Sequence, residues 1–379
     1  MKELGIYIHI PFCKSKCYYC DFCSFANKEK LIERYIKCLN YEIKSKRRDE
    51  CMIKTIYIGG GTPSYIDGSH IVKIIKNIKK YYNVYHNAEI TIEANPGTCN
   101  EKKFKDYREA GVNRLSIGLQ TSNNNLLKEI GRIHTYEQYE ETIKEAKKAG
   151  FTNINSDIMV GLPNQTIYDV EDTLDKLLKL NLTHISVYSL IVEENTKLKK
   201  LIDEGMLKLP DDEIERYMYW YAKRRLEENG FIHYEISNFA KEGFASKHNL
   251  DCWSQKEYLG FGVNAASFEN NVRYSNTDNL NTYMKNIEKK DVLKNTIIEE
   301  KMNKQALMNE YMMLELRKIN GVNLNRFEEK FKKMAIIMYG EKISDLCQKG
   351  LIDFNIPKQT IKLTKKGIDF ANLVWEEFI

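Results

Sequence analysis

Short apolar runs rich in β-branched residues alternate with amphipathic stretches along the first half of the chain. Apolar runs of four to eight residues predict strands, and apolar positions three and four apart predict helices, as at Ile32, Ile36 and Leu39. The pattern predicts strands at Gly5–Ile10, Thr55–Ile58, Glu89–Glu93, Arg114–Leu119, Asn153–Val160 and His184–Leu190. It predicts helices at Lys30–Lys46, His70–Tyr81, Lys102–Ala110, Tyr136–Ala149 and Val170–Leu180. About six β–α units in order predict an α/β fold with a parallel sheet and its helices outside.

Polar and glycine residues crowd the C-terminal ends of successive predicted strands, at Gly59–Thr62, Glu93–Gly97, Gln120 and Asp157. In barrels and in open parallel sheets, this edge carries the functional site. Residues from so many separate strand ends converge only if the sheet curls. The sequence therefore predicts a partial (β/α)6 barrel that is open on one side.

After Leu190 the composition changes, and the pattern predicts a second part of the molecule. Asp211–Asn229 predicts a long helix rich in Tyr and Trp, and Tyr234–Asn238 predicts a strand. From Glu299 onward the chain is helical and Lys-rich, and it ends in a hairpin at Ile352–Leu363 and a last helix. We predict a barrel over residues 1–240, a connecting segment over 241–298, and a small, mostly helical, winged-helix-like domain over 299–379.

Composition narrows the functional classes. Among the 379 residues, 42% are apolar and 29% are charged, which is typical of a soluble globular protein. The net charge of +5 is spread along the chain without a dense basic patch, so no nucleic-acid partner is predicted. No apolar run approaches the ~20 residues of a membrane span, and the start of the chain is too polar for a signal peptide. We expect a cytoplasmic, reducing location, where nine cysteines are not a disulfide framework.

Three cysteines carry the strongest chemical signal: Cys13, Cys17 and Cys20 have the spacing C-x3-C-x2-C. Three close thiolates on one loop can hold three irons of a [4Fe–4S] cluster and leave the fourth iron without a protein ligand. The alternative is a zinc site completed by Cys23. A second, separate cysteine knuckle is missing and the x3 spacing is unusual for zinc, so the pattern favours the cluster.

Motifs along nearly the whole chain carry a family resemblance. They are Tyr7–Cys13 (YIHIPFC), Gly59–Ser64 (GGGTPS), Glu93–Gly97 (EANPG), Arg114–Gln120 (RLSIGLQ), Gly131–Thr135 (GRIHT), Asp157–Pro163 (DIMVGLP), Tyr234–Ala240 (YEISNFA) and His248-Asn249 followed by Trp253. Together with the cysteine spacing, these resemble the oxygen-independent coproporphyrinogen III oxidase group of radical-SAM proteins. Within that group they are most similar to the HemW-type heme chaperones.

The resemblance implies a [4Fe–4S] cluster on the three cysteines whose open iron binds S-adenosylmethionine (SAM). It implies that the SAM-binding residues are Tyr7, Tyr19, Gly60, Gly61, Thr62, Glu93, Gln120, Arg132 and Asp157. Glycine-rich backbone admits close approach of a ligand, and a carboxylate accepts hydrogen bonds from ribose hydroxyls. Each position also has a purely structural interpretation: a tight turn, an inter-strand hydrogen bond or a core aromatic.

Two functions remain open on this scaffold. The oxidases have a fourth cysteine two residues after the third, where this chain has Phe22, and they have a longer N-terminal arm before the cysteines. His248-Asn249-Leu250-Asp251-Cys252-Trp253 resembles the His-Asn-x-x-Tyr-Trp motif linked to heme binding. These features favour a chaperone that binds heme and delivers it to apo-proteins. The alternative is a coproporphyrinogen III dehydrogenase that oxidatively decarboxylates propionate side chains.

The resemblance implies heme, SAM, heme-accepting apo-proteins and an electron donor such as flavodoxin or ferredoxin as partners, and it assigns no catalytic side chain. We expect His248 to be an axial heme ligand. If residues 248–252 are helical, Cys252 lies on the same face, and it either assists or replaces His248 or is a small buried apolar residue. Cys23 is either a spare thiol near the cluster or an exchangeable ligand.

Overall fold

Seven parallel strands form the centre of one open, twelve-stranded sheet in the computed structural model, which describes residues 1–379. The strands are β1 (Lys2–Ile10), β2 (Phe12–Cys13), β3 (Phe25–Ala26), β4 (Arg48–Gly60), β5 (Tyr82–Ala94), β6 (Arg114–Gln120), β7 (Ile154–Val160), β8 (His184–Ser189), β9 (Ile232–Glu235), β10 (Asn238–Ala240), β11 (Tyr258–Phe261), β12 (Ala266–Glu269), β13 (Val272–Asn276), β14 (Thr296–Lys301), β15 (Val322–Asn323), β16 (Ile352–Asn355) and β17 (Thr360–Leu363). The sheet order is β14-β13-β12-β11-β1-β4-β5-β6-β7-β8-β10-β9.

Helices between the parallel strands cover one face of the sheet, and further helices build the C-terminal part of the chain. They are α1 (Ile32–Ser45), α2 (Gly68–Tyr81), α3 (Glu101–Ala110), α4 (Asn124–Glu129), α5 (Tyr136–Lys148), α6 (Ile167–Lys179), α7 (Lys197–Asp203), α8 (Asp212–Glu228), α9 (Lys247–Trp253), α10 (Leu280–Glu288), α11 (Lys304–Glu315), α12 (Leu324–Phe331), α13 (Ala335–Gln348), α14 (Lys365–Asp369) and α15 (Ala371–Glu376). The predicted order of six β–α units is confirmed. No helix is both long and apolar enough to span a membrane.

The two faces of the parallel strands differ in chemistry. In β4, Ile56 and Ile58 are fully buried in the core between sheet and helices, whereas Tyr57 between them faces the other side and lines a cavity. Alternate residues of a strand point to opposite faces, so one strand contributes to both the core and the cavity wall. Because of this alternation, isoleucine-rich strands carry polar groups on the cavity face without placing them in the apolar core.

The structure corrects the predicted strand at Tyr234–Asn238, which is two antiparallel strands, β9 and β10. The Ser237 backbone N–H donates to the Glu235 carboxylate at 2.9 Å, and this bond closes the turn between them. The sequence pattern also missed the antiparallel extension β12–β14 at the opposite edge, where β11 pairs in parallel with β1.

The C-terminal part has its own core of 19 buried residues between Met308 and Phe378, packed around the three-stranded sheet β15-β17-β16. The predicted hairpin at Ile352–Leu363 is confirmed as β16 and β17, which form the wing of a winged-helix-like domain. Strand β14 belongs to the main sheet and spans the predicted boundary between residues 298 and 299.

Helix α9 joins the two parts of the molecule. At its C-terminal end, the Trp253 ring stacks on the Arg317 guanidinium with 4.3 Å to the ring centroid. The ring of Trp375 lies 4.8 Å from the same guanidinium. At its N-terminal end, the backbone N–H groups of Lys247 and His248 donate to the Glu89 carboxylate of β5, each at 3.0 Å. A carboxylate at a helix N-terminus is favourable, so both ends of the helix are fixed.

Glu42 of α1 ties the first helix to the antiparallel edge of the sheet. Its carboxylate is fully buried and accepts hydrogen bonds from Lys46 Nζ (2.6 Å), Asn276 Nδ2 (2.8 Å), the Gly262 backbone N–H (2.9 Å) and the Tyr283 hydroxyl (2.6 Å). Four donors satisfy the hydrogen-bonding capacity of this buried carboxylate. Without the carboxylate, these donors would lose their acceptor.

Replacing Glu42 by Ala is therefore expected to lower the free energy of unfolding by about 3–5 kcal/mol, because it leaves a partly buried lysine and three neutral donors without their acceptor. Denaturant titration of the purified protein measures the change. Glu33→Ala, on the exposed face of the same helix, is the matched control and is expected to stay within about 0.5 kcal/mol of the parent. Equal losses in the two variants would contradict the role of the network.

Candidate functional site

One cavity of about 330 Å³ lies at the C-terminal edge of the parallel strands. Its wall includes one residue from each of five successive strands, Tyr57, Glu93, Ser116, Asp157 and Tyr188. Neighbouring strands lie about 4.8 Å apart, so these residues would spread over roughly 19 Å in a flat sheet. Their common cavity requires a curled sheet, and the predicted partial barrel is confirmed.

The three motif cysteines line this cavity. Cys13 ends β2, and Cys17 and Cys20 lie on the loop that follows. No three His, Cys, Asp or Glu side chains in the chain converge closely enough to hold a single metal ion. One zinc ion requires its sulfur ligands at about 2.3 Å, whereas a cubane takes each thiolate at a separate corner. The arrangement favours a cluster over zinc.

Cys23 does not belong to this group of thiols. Its Sγ donates to the Asp278 carbonyl at 3.5 Å, and the residue is absent from the cavity wall. The Cys23 thiol is therefore engaged with the segment before α10. The geometry supports neither a zinc site completed by Cys23 nor a cluster ligand at this position.

His9 clamps the cysteine loop to the barrel. Its Nε2 lies 2.8 Å from the Cys23 carbonyl and its Nδ1 lies 3.0 Å from the Tyr7 hydroxyl. A carbonyl only accepts hydrogen bonds, so Nε2 carries the proton and Nδ1 accepts from Tyr7. Burial lowers the pKa of His9, which keeps the ring in this neutral form.

The glycine loop after β4 is bonded to the cysteine strand. The Gly61 N–H donates to the Ile10 carbonyl and the Thr62 N–H donates to the Phe12 carbonyl, each at 2.9 Å. Gly60 has φ +113°, and a Cβ there would lie 2.7 Å from the His9 ring. A Cβ on Gly61 would lie 2.9 Å from Cys13 Sγ. A side chain at Gly61 would fill the space beside the thiol, and one at Gly60 would collide with the His9 ring.

Hydrogen-bond donors surround the thiols. The Thr62 hydroxyl donates to Cys13 Sγ at 3.4 Å, and a terminal nitrogen of Arg132 donates to Cys17 Sγ at 3.5 Å. The other terminal nitrogen of Arg132 donates to the Gly118 carbonyl at 2.6 Å and to Asn95 Oδ1 at 3.1 Å. Arg132 is thus held in place by the sheet, and a bidentate clamp on a ligand carboxylate would have to displace these bonds.

Two carboxylates form the polar wall opposite the thiols. Glu93 accepts from the Tyr57 hydroxyl at 2.8 Å and from the Gly60 N–H at 3.1 Å. Burial raises the pKa of Glu93 to about 7, and the nearby Asp157 charge adds to the shift. Asp157 accepts from Asn155 Nδ2 at 2.8 Å and from the Ser116 hydroxyl at 3.2 Å, and burial also raises its pKa.

Most predicted ligand-binding residues meet at this cavity. Those that line it are Tyr19, Gly60, Gly61, Thr62, Glu93, Gln120, Arg132 and Asp157. Gln120 follows a β-bulge and has φ +74°, a backbone strain that is typical of functional sites. The sequence pattern missed Tyr57, Asn95, Ser116 and Tyr188, although Tyr57 and Ser116 alternate with buried isoleucines or leucines and could have been found by that period.

Two predicted residues lie outside the cavity wall. Tyr7 packs against the Tyr57 ring with 6.4 Å between centroids. His248 is 7% exposed, stacks on the Tyr57 ring with 5.2 Å between centroids, and places Nδ1 2.8 Å from the Thr55 hydroxyl. Residues 248–252 are helical, as the expectation for Cys252 required, and burial raises the pKa of the Cys252 thiol to about 12.

The residues of the cavity fit a [4Fe–4S] cluster. Ser24 Oγ and Arg132 Nε line or border the cavity, are buried, and have no hydrogen-bond partner in the protein. Both are donors, and the sulfurs of a cluster are acceptors. Together with the space left by Gly60 and Gly61, these unpaired donors indicate a sulfur-rich ligand between the three cysteines.

Comparison with known proteins gives concordant results. The radical SAM superfamily model matches residues 7–177. A heme chaperone HemW from Lactococcus lactis is 39% identical over 378 residues, covering 100% of this chain and 98% of that protein. HemW from Bacillus subtilis is 37% identical over 376 residues, covering 98% of each. The solved structure of the coproporphyrinogen III oxidase HemN from Escherichia coli has a TM-score of 0.86 at 22% identity, covering 100% of this chain and 90% of that one.

Loss of the His9 clamp is expected to destabilise the cluster. In His9→Leu the Cys23 carbonyl loses its buried donor, and we expect cluster loss to become about tenfold faster, equivalent to about 1.4 kcal/mol. Absorbance and iron content after anaerobic reconstitution measure this rate. His9→Gln retains an N–H donor at the same reach and is expected to preserve most of the parent behaviour. Identical rates of cluster loss for the Leu variant and the parent would show that the hydrogen bond from His9 to the Cys23 carbonyl does not stabilise the cluster.

Proposed function

The chain belongs to the HemW family of the radical SAM superfamily, and from this premise we propose that it binds heme and delivers it to apo-proteins. The resemblance drawn from the motifs is confirmed. Family membership implies a [4Fe–4S] cluster and SAM. The observation that carries the proposal is similarity to heme chaperones over essentially the whole chain, including the C-terminal domain and helix α9.

Different residues of the cavity would bind the cluster and the parts of SAM. Cys13, Cys17 and Cys20 would ligate three irons and leave the fourth open. When bound, the cluster supplies an electron that can cleave a carbon–sulfur bond of SAM. The backbone at Gly60 and Gly61 offers close approach to the SAM methionine group.

Glu93 and Asp157 would orient the nucleoside end of SAM. Glu93 presents a carboxylate to the ribose hydroxyls while the Tyr57 hydroxyl fixes its orientation. Tyr19, which is part of the cavity wall, offers a ring for the adenine to pack against. Arg132 adds positive charge on the side of Cys17.

His248 is the proposed axial ligand of heme, and its surroundings support that role in one respect. If Nδ1 donates to the Thr55 hydroxyl, Nε2 keeps its lone pair for iron, and a metal-binding histidine ordinarily has such a partner on its other nitrogen. The side chain is buried, so heme reaches Nε2 only after helix α9 moves relative to the barrel. Because Arg317 fixes Trp253, this movement involves the C-terminal domain.

Heme delivery is tested against porphyrinogen oxidation in parallel assays on anaerobically reconstituted protein. We expect a saturable Soret change on heme titration, transfer of the heme to an apo-protein, and no decarboxylated product from coproporphyrinogen III with SAM and reductant. Decarboxylated product would overturn the chaperone assignment in favour of a dehydrogenase. The fold likeness to HemN does not decide between these two activities, since function depends on the site.

The same heme titration tests His248. His248→Ala is expected to weaken heme binding and change the Soret spectrum, whereas His86→Ala, at an exposed position of β5, is expected to leave both unchanged. An unaltered affinity and spectrum in His248→Ala would remove this residue as the ligand and leave the chaperone proposal to the transfer assay.

SAM affinity is expected to depend on pH through Glu93. The pKa of this carboxyl is about 7, so it is mostly protonated at pH 6 and mostly ionised at pH 8. Ribose hydroxyls donate to the ionised form, so the affinity falls as pH drops through 7, about tenfold between pH 8 and pH 6. Equilibrium dialysis with labelled SAM measures it. Glu93→Gln should bind more weakly at pH 8 and lose most of this pH step, and an unchanged step would rule out Glu93 as its source.

A further inference from the structure

Ser24 is a buried residue of the cavity wall whose unpaired hydroxyl has no assigned role in the proposed function. It is 8% exposed, and its hydroxyl has no hydrogen-bond partner in the protein. A buried hydroxyl without a partner is costly, and such a group usually meets a ligand or water. Ser24 lines the same cavity wall as the cysteines Cys13 and Cys20.

The backbone holds Ser24 rigidly in this place. On one side, the Cys23 carbonyl accepts from His9 at 2.8 Å. On the other side, the Phe25 N–H donates to the Pro11 carbonyl at 2.7 Å, and β3 pairs with β2 so that Phe25 lies opposite Phe12. The serine is therefore fixed next to the strand that carries Cys13, without relying on any contact of its own side chain.

Two of the three motif cysteines, Cys13 and Cys17, already accept hydrogen bonds from side chains. Thr62 donates to Cys13 and Arg132 donates to Cys17. Cys20 accepts no hydrogen bond from a side chain, and it shares the cavity wall with the unpaired Ser24 hydroxyl. With Ser24 included, each of the three thiols has a polar side chain aimed at it.

We propose that the Ser24 hydroxyl donates a hydrogen bond to a thiolate sulfur of the cluster, at Cys20 or Cys13, and raises the cluster's reduction potential. This rests on the proposed function in one respect: the three cysteines hold a [4Fe–4S] cluster. One-electron reduction adds negative charge to the cluster, so a hydrogen bond to its sulfur is stronger in the reduced state. Ser24 thus acts on the cluster's reduction potential through a hydrogen bond, and it is not a ligand of the iron.

The test is a redox titration followed by electron paramagnetic resonance, with dithionite as the reductant, on anaerobically reconstituted protein. In Ser24→Ala we expect the ratio of reduced to oxidised cluster at a fixed potential to fall about tenfold, which is about 59 mV for one electron. Ser24→Thr keeps the hydroxyl and is expected to keep the parent potential. Ser45→Ala, which removes an exposed serine of helix α1 outside the cavity, is the matched control and is expected to cause no shift.

Iron and sulfide analysis separates the two ways of failing. Absence of iron and sulfide from the parent protein refutes the cluster, and with it both the proposed function and this inference. A complete cluster in every variant, with equal potentials in Ser24→Ala and the parent, refutes the inference alone. If Ser24→Ala does not assemble a cluster, Ser24→Val and Ser24→Thr have nearly the same shape and differ in the hydroxyl, and equal potentials in that pair would also refute it.

Discussion

The site depends on how the cysteine loop is fixed to the ends of two parallel strands. Backbone hydrogen bonds from Gly61 to Ile10 and from Thr62 to Phe12 join the glycine loop to the cysteine strand. The His9 ring then connects the interior of the barrel with the far end of the cysteine loop at Cys23. Because these bonds join β1, β4 and the loop into one unit, the thiols face the same cavity as the carboxylates of the next strands.

The same strands supply both stability and chemistry. Their outer faces are isoleucine-rich and bury a core of 58 residues against the helices, while their inner faces carry tyrosines, carboxylates and amides. A rigid apolar layer behind each polar residue holds it in place, which is what a cavity for a charged cofactor requires. The raised pKa of Glu93 follows from this placement, since the curled sheet removes the carboxyl from water.

Helix α9 extends this arrangement to the C-terminal domain. His248 at its start stacks on Tyr57, and Tyr57 in turn bonds Glu93 in the cavity wall. Trp253 at its end stacks on Arg317 of the C-terminal part. A short helix held at both ends therefore connects the cavity with the C-terminal part through direct contacts. Exchange of heme at His248 would act on the same contacts.

Local features of the sequence determined the cofactor class and the parallel half of the fold. Cysteine spacing, glycine runs and the period of isoleucines all act within a few residues, so they can be interpreted without knowing the partner strands. Tertiary structure alone decided that Cys23 turns toward Asp278, that His248 is buried against Thr55, and that Ser24 lines the cavity of the three thiols. These outcomes depend on where a side chain points relative to residues distant in the chain. Strand register and loop closure set that direction, and spacing along the sequence does not contain it.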